Sequence, residues 1–173
     1  MVHATELLPD SLLSPYRGVG YTDCYVTELP FPVTATEFIE AFYTSSLFKL
    51  ERMILSAVLR RASTDAQARE LALGRRHSFA AWSVEARKEG QILLAAGRTR
   101  SWLATTSGMS SGTQLYFGSA VVPRHAASGT RTMGFWFWAL SGFHKAYSRA
   151  LLRAARNRIL ARSTNRSLPG PTV

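Results

Sequence analysis

GFWFWALSGFHKAYSRALLRAARNRILAR, Gly134 to Arg162, is the stretch whose reading decides the fold. Its first part, Phe135-Trp136-Phe137-Trp138, is dense in the aromatic residues that favour pleated strands. It predicts a strand over Met133 to Leu140. Ser141 then serves as a candidate N-cap for one long basic helix. Along that helix Phe143, Tyr147, Ala150, Leu151 and Ala154 recur at steps of three and four. Lys145, Arg149, Arg153 and Arg156 recur on a separate face. One face is built to cover apolar surface, and the rest of the chain reads as layers packed around it.

Working outward, the preceding half is strand-like. Phe79 to Ala86 alternates, with Ala80, Trp82 and Val84 on one side. Lys88-Glu89-Gly90 is a turn, and Gln91 to Ala96, Arg98 to Thr106 and Gln114 to Val122 follow as strands, with a joint at Gly97. Thr106 to Gly112 is a Ser/Gly loop, and residues 124–132 are a polar loop. Before these strands the pattern is helical. Thr34 and Glu37 are spaced as a capping box, and Phe38, Ala41 and Phe42 share a side of the helix behind it. A second helix is expected over Leu47 to Arg61, with Leu50, Met53, Ile54, Ala57 and Val58 as its apolar stripe. A short third one, capped at Thr64 and Gln67, runs to Gly74. Tyr21 to Leu29 is the first strand, closed by Pro30 and Pro32.

Residues 1–20, with Pro9, Pro15, Gly18 and Gly20, read as an arm or a poorly ordered lead-in, and 163–173 as a flexible tail. The domain proper is then 21–162. Helices and strands are segregated along the chain, which gives an α+β fold: a curved antiparallel sheet with the last helix across it.

Composition narrows the chemistry. All 11 acidic residues lie at or before Glu89, so the net charge of +10 belongs to the second half. Such asymmetry suits a solvated basic face, an anionic membrane surface or an acidic partner. No helix-turn-helix, zinc-finger or RNA-recognition signature accompanies it, which argues against a nucleic-acid reader. Cys24 is the single cysteine, which excludes an internal disulfide and any multi-thiolate metal site. His3, His77, His125 and His144 form no paired metal spacing, and no motif calls for a cofactor. MVHATELLPD lacks the basic and apolar regions of a signal peptide, and Met133 to Phe143 is far short of a membrane span, so the expectation is a soluble, cytoplasmic protein.

Gly108-Met109-Ser110-Ser111-Gly112 matches the Gly-x-Ser-x-Gly pattern of a nucleophile elbow. An elbow needs a helix after the serine and an acid later in the chain, and here a strand follows with no acid beyond Glu89. The stretch is read as a hairpin loop. Cys24 beside Asp23 is read as a small buried residue, since a neighbouring carboxylate disfavours a thiolate. Asp23 is expected to be capped or paired with an arginine.

The succession of Tyr21-Thr22-Asp23-Cys24, helices, Gln91-Ile92-Leu93-Leu94, Ala120-Val121-Val122-Pro123-Arg124-His125 and Gly142-Phe143-His144-Lys145 before a basic helix carries a resemblance. It resembles an uncharacterised bacterial family, a "domain of unknown function", related to the START-like or helix-grip superfamily. The resemblance covers most of residues 21–160. It implies a sheet wrapped around the C-terminal helix, with a cavity between them for a lipid, polyketide or other apolar molecule.

The expected function is therefore binding of a small hydrophobic or amphipathic ligand. Trp82, Trp102, Tyr116, Trp136, Trp138, Phe143, Tyr147 and Leu151 are the expected lining, with Arg98, Arg100 or His144 holding a polar end. His144 ranks first among the histidines, because a helix opening at a cavity mouth places it usefully. Two alternatives stand beside this. One is an enzyme on the same fold, cyclase- or hydrolase-like, using a pocket histidine. The other is an interaction module that meets an anionic membrane or acidic partner through the basic helix. A homodimer through a sheet edge stays open.

Overall fold

The computed structural model describes residues 1–50, 63–108, 111–125, 131–132 and 135–167, without the side chains of 124–125, 131–132, 135–143 and 166–167. Among these described residues, nine strands and three labelled helices follow in order: β1 (His3–Ala4), β2 (Tyr21–Leu29), α1 (Ala35–Tyr43), α2 (Asp65–Ala72), β3 (Ser78–Phe79), β4 (Trp82–Lys88), β5 (Gln91–Ala96), β6 (Thr99–Ser107), β7 (Thr113–Val121), β8 (Arg124–His125), β9 (Arg131–Thr132) and α3 (Phe135–Ser167). Seven strands form one antiparallel sheet in the order β1-β2-β7-β6-β5-β4-β3, and β8 and β9 pair separately. The α+β reading holds at that level.

Register sorts the side chains. Tyr25, Phe117 and Leu103 are paired across β2, β7 and β6, and so are Asp23, Ser119 and Ser101 two residues along. Both rows share one face, because side chains two apart on a strand point the same way. Between them lies Cys24–Gly118–Trp102, which points to the opposite face. The first face packs on the helices. Tyr25, Leu29, Ile92, Leu94, Leu103, Leu115 and Phe117 form one buried cluster with Phe38, Phe42, Tyr43 and Leu71, and with Leu151, Leu152, Ala155 and Ile159 of α3.

The opposite face is covered by residues 1–20. Leu7 and Leu13 are buried against Cys24, Val26, Leu93, Trp102, Ala104, Tyr116 and Ala120. The arm is pinned by the Leu12 amide donating to Gln91 Oε1 at 3.0 Å and by the Arg17 guanidinium donating to the Leu7 carbonyl at 3.2 Å. Tyr16 also donates its hydroxyl to Glu85. A sheet with apolar residues on both faces needs cover on both, and this arm is the second cover.

Both capping boxes form. Thr34 and Glu37 exchange side-chain and backbone hydrogen bonds at the start of α1, and Thr64 and Gln67 do so at α2. Gly74, with φ of 75°, follows α2 in the left-handed region. Residues 46–50 are helical, and 51–62, with Met53, Ile54, Ala57 and Val58, lie outside the described residues. Leu50, expected on the buried stripe, is exposed, and Phe48 is buried instead.

Three expectations are corrected. Phe135 to Leu140 is not a strand: α3 already begins at Phe135, so Ser141 lies inside the helix rather than at its cap. Strand propensity misled because nearly every position of the run is apolar, which leaves no period to choose between strand and helix. The sheet also offers no place beside β7, whose two edges are taken by β2 and β6. At its other end α3 runs on to Ser167, through part of the expected tail. Finally, the expected strand over Phe79 to Ala86 is broken into β3 and β4 at Ala80, whose φ is 52°.

Candidate functional site

Between the sheet and α3 lies a cavity of about 310 Å³. Its apolar walls are Phe42 and Phe48 from the helical layer, Trp82 from β4, Phe117 from β7, and Tyr147 and Leu151 from α3. Ala81 and Ala96 complete them, and the small side chains leave the space that the rings enclose. Thr99, Ser101, Ser119, His144 and Ser148 supply the polar lining. This mixture of ring faces and a few converging polar groups is typical of small-molecule sites.

The polar end is built on the Asp23–Ser119–Ser101 row. Ser119 donates its hydroxyl to Asp23 Oδ1 at 2.6 Å, and Ser119 Oγ is 2.8 Å from His144 Nε2. His144 Nε2 is also 3.6 Å from Asp23 Oδ2. Tyr21 and Tyr25 donate to Asp23 Oδ2 at 3.1 and 3.3 Å. The Asp23 side chain is only 9% exposed, so its charge is held by this hydroxyl set and by the imidazole. Burial, then the Asp23 charge, pushes the Tyr25 phenol up to about 12 and raises that of Tyr21 further. Both tyrosines therefore stay protonated as donors. Tyr21 also meets the His144 ring edge-on, with centroids 5.7 Å apart.

The protons in this cluster can be assigned. Ser119 has one, and the short contact gives it to the carboxylate. Ser119 Oγ can then only accept from His144, so Nε2 carries a hydrogen. This is not a nucleophilic triad, in which histidine takes the serine proton. Here serine bridges acid and imidazole, and its oxygen is not activated.

Two further polar atoms at the cavity are unmatched. Trp82 Nε1 and Ser148 Oγ are buried and have no hydrogen-bond partner among the described residues. Both residues line the cavity. Buried donors of this kind cost about 1–3 kcal/mol unless something satisfies them.

Of the residues singled out from sequence, Trp82, His144, Tyr147 and Leu151 come together at this cavity. Trp102 and Tyr116 do not. They point to the arm-covered face, where Trp102 Nε1 donates to Gln91 Oε1 at 2.9 Å and Tyr116 donates to Gln114 Oε1 at 2.8 Å. Both sit at even positions of strands whose odd positions face the helices. Arg100 reaches the cavity rim, but its guanidinium is committed elsewhere. It pairs with Glu85 at 2.5 Å, donates to the Tyr16 hydroxyl at 3.0 Å and lies 5.1 Å from the Tyr16 ring centre. Arg98 lies in the β5–β6 turn and donates to the Val122 carbonyl at 2.7 Å. Arg100 is thus ion-paired away from the cavity, and Arg98 is exposed and not part of the cavity lining. The side chains of Trp136, Trp138 and Phe143 lie outside the described residues.

His144 is ten residues into α3 rather than at its mouth. His3 and His77 are exposed, and the side chain of His125 lies outside the described residues. Among the described residues Asp23 pairs with hydroxyls and a histidine, not with an arginine. Cys24 is buried, and its thiol is pushed up to about 12 by burial and by Asp23. Ser110, the serine of the Gly-x-Ser-x-Gly match, lies outside the described residues. The flanking Gly108 amide and Gly112 carbonyl close the hairpin at 2.9 Å.

Sequence reasoning missed Ser119, Tyr21, Tyr25 and Ser148 as site residues, and Phe42, Phe48 and Phe117 as cavity walls. Only the register could have found Ser119, which is 96 residues from Asp23 in sequence. Among the described residues no cluster of His, Cys, Asp or Glu can hold a metal ion, and no helix is long and apolar enough to cross a membrane. Comparison with protein-family models, with curated proteins and with solved structures finds no match to this chain.

Proposed function

We propose that this chain is a helix-grip domain that binds a small amphipathic molecule between its sheet and α3. The molecule's apolar body lies against Phe42, Phe117 and Trp82, and its polar end reaches His144 and Ser119. The observation that carries this reading is the cavity itself, walled by Phe42, Phe48, Trp82, Phe117, Tyr147 and Leu151 and bearing His144 and Ser119 in its polar lining. The molecule meets ring faces on its apolar side and the imidazole at its polar end. Its size follows from the space: about 310 Å³ suits one or two fused rings or a short branched chain, not a long lipid.

Native mass spectrometry after mild purification tests this. The expected result is a bound apolar compound that is lost on unfolding. A protein that stays empty, and that takes up no small apolar probe, contradicts the reading.

A second reading rests on the outer face of α3. Lys145, Arg149 and Arg153 are exposed there, while Arg156 donates to the Glu28 carbonyl at 3.3 Å. With no acid in this half of the chain, the face suits an anionic membrane or an acidic partner. Replacing Lys145, Arg149 and Arg153 by Glu then abolishes binding to vesicles rich in phosphatidylserine. Unchanged binding excludes this face as the contact.

A further inference from the structure

The cavity's polar groups have an arrangement that goes beyond holding a ligand. Ser119 Oγ–H donates to Asp23 at 2.6 Å, so His144 Nε2 must carry the hydrogen that Ser119 accepts at 2.8 Å. In the neutral imidazole the lone pair then sits on Nδ1. Among the described residues the ring makes no other hydrogen bond, and His144 lines the cavity with about a third of its side chain exposed (32%). Nδ1 is thus a base kept for whatever enters. The same cavity is lined by the hydroxyl-bearing side chains of Thr99 and Ser101.

We propose that the cavity is a proton-transfer site for a small apolar carbonyl compound, with His144 Nδ1 as the base toward a C–H bond next to the carbonyl. The proposal rests on the ligand-binding reading given above. The step balances within the site. The proton leaves carbon for Nδ1, and the C–H electron pair moves onto the carbonyl oxygen as an enolate. Negative charge develops on that oxygen, and the Thr99 and Ser101 hydroxyls of the lining are the donors available to it. The imidazolium keeps its Nε2–H on Ser119, and the buried Asp23 carboxylate stabilises the new positive charge through that serine. Returning the proton to the same or a conjugated carbon completes hydrogen exchange or double-bond migration. No oxidant, metal or second substrate is needed.

In this scheme Ser119 and Asp23 are positioning residues, which fix the tautomer and orientation of the imidazole. Tyr21 and Tyr25 face the pair from β2, and both donate to Asp23. Lys145 and Arg149 flank His144 on α3, with Arg149 lying over the Tyr25 ring at 5.4 Å.

The test uses 5-nitrobenzisoxazole, a flat aromatic carbon acid. Loss of its ring C–H proton to a base breaks the N–O bond, forms a nitrile and releases a coloured phenolate. The whole protein is expected to accelerate this elimination beyond an equal concentration of imidazole, with a rate that rises with pH through the histidine titration and then levels. His144→Gln is expected to lower kcat/KM by roughly a hundredfold or more, the scale of one positioned base. Ser119→Ala is expected to shift the pH profile, which a merely structural role would not do. Binding of the neutral fluorophore N-phenyl-1-naphthylamine is measured for every variant, as evidence of an intact cavity. If the fluorophore binds but elimination is no faster than imidazole, or survives His144→Gln, the proton-transfer proposal falls and the binding reading stands. If the fluorophore does not bind the unmodified protein, both fall.

Discussion

Asp23 shows how one buried charge organises its neighbours. Three hydroxyls point at its carboxylate, and the thiol of Cys24 and the phenols of Tyr21 and Tyr25 all titrate later, first through burial and then through its charge. A thiol moved from 9.0 to about 12 has roughly a thousandfold less thiolate at neutral pH. Cys24 is therefore expected to resist alkylation by iodoacetamide in the native protein and to react at once in urea, as followed by mass spectrometry. For Tyr25 the folded value lies above the unfolded one, so its contribution to stability is complete below about 10 and is lost as pH rises toward about 12. Urea midpoints are expected to stay flat up to about pH 10 with respect to this group and to fall above it. Asp23→Asn is expected to lower the Tyr25 titration, read by tyrosinate absorbance, but not to the ordinary phenol value, because burial is the larger cause.

At the scale of elements, the N-terminal arm is as much part of the core as any strand. Leu13 is fully buried between the arm and the sheet. Leu13→Ala is expected to cost about 2–5 kcal/mol in urea unfolding, as for other large-to-small core changes. Gly118 reports on the same layer from beneath. A Cβ there would lie 2.8 Å from Leu13 Cδ2, 3.0 Å from Trp102 Cε3 and 3.1 Å from the Asp23 carbonyl oxygen. Gly118→Val is therefore expected to loosen the arm, read as faster proteolysis within residues 1–20. Much of this architecture was legible in the sequence. β2 could be bounded from its β-branched and aromatic run, and both capping boxes from their spacing. The arm was not legible, because Leu7, Leu12 and Leu13 sit among prolines with no period, and only the apolar even positions of β6 and β7 demanded a cover. The start of α3 was not legible either, since Phe135 to Phe143 is apolar at nearly every step. The site was read in part. Helical spacing put Tyr147 and Leu151 on one face, His144 was singled out for a place at the helix opening that it does not have, and the Asp23–Ser119 pairing exists only through strand register.

Across the whole molecule, α3 divides two tasks. Its buried side closes the sheet and carries His144, Tyr147, Ser148 and Leu151 to the cavity, while its exposed side carries Lys145, Arg149 and Arg153. The basic charge that dominates the composition thus faces away from the cavity walls, and the polar end of the cavity is set by one carboxylate and one imidazole. The space between the sheet and α3 is proposed to hold a ligand. Ala96 lines it from β5 with a side chain small enough to leave it open. The most direct measurement is a fluorescence titration of N-phenyl-1-naphthylamine into the unmodified protein and into Ala96→Trp, whose indole fills the space. Saturable binding to the former, weakened at least about tenfold in the latter at unchanged stability, is the expected result, a difference of roughly 1.4 kcal/mol. Equal affinity for the two proteins would contradict the account.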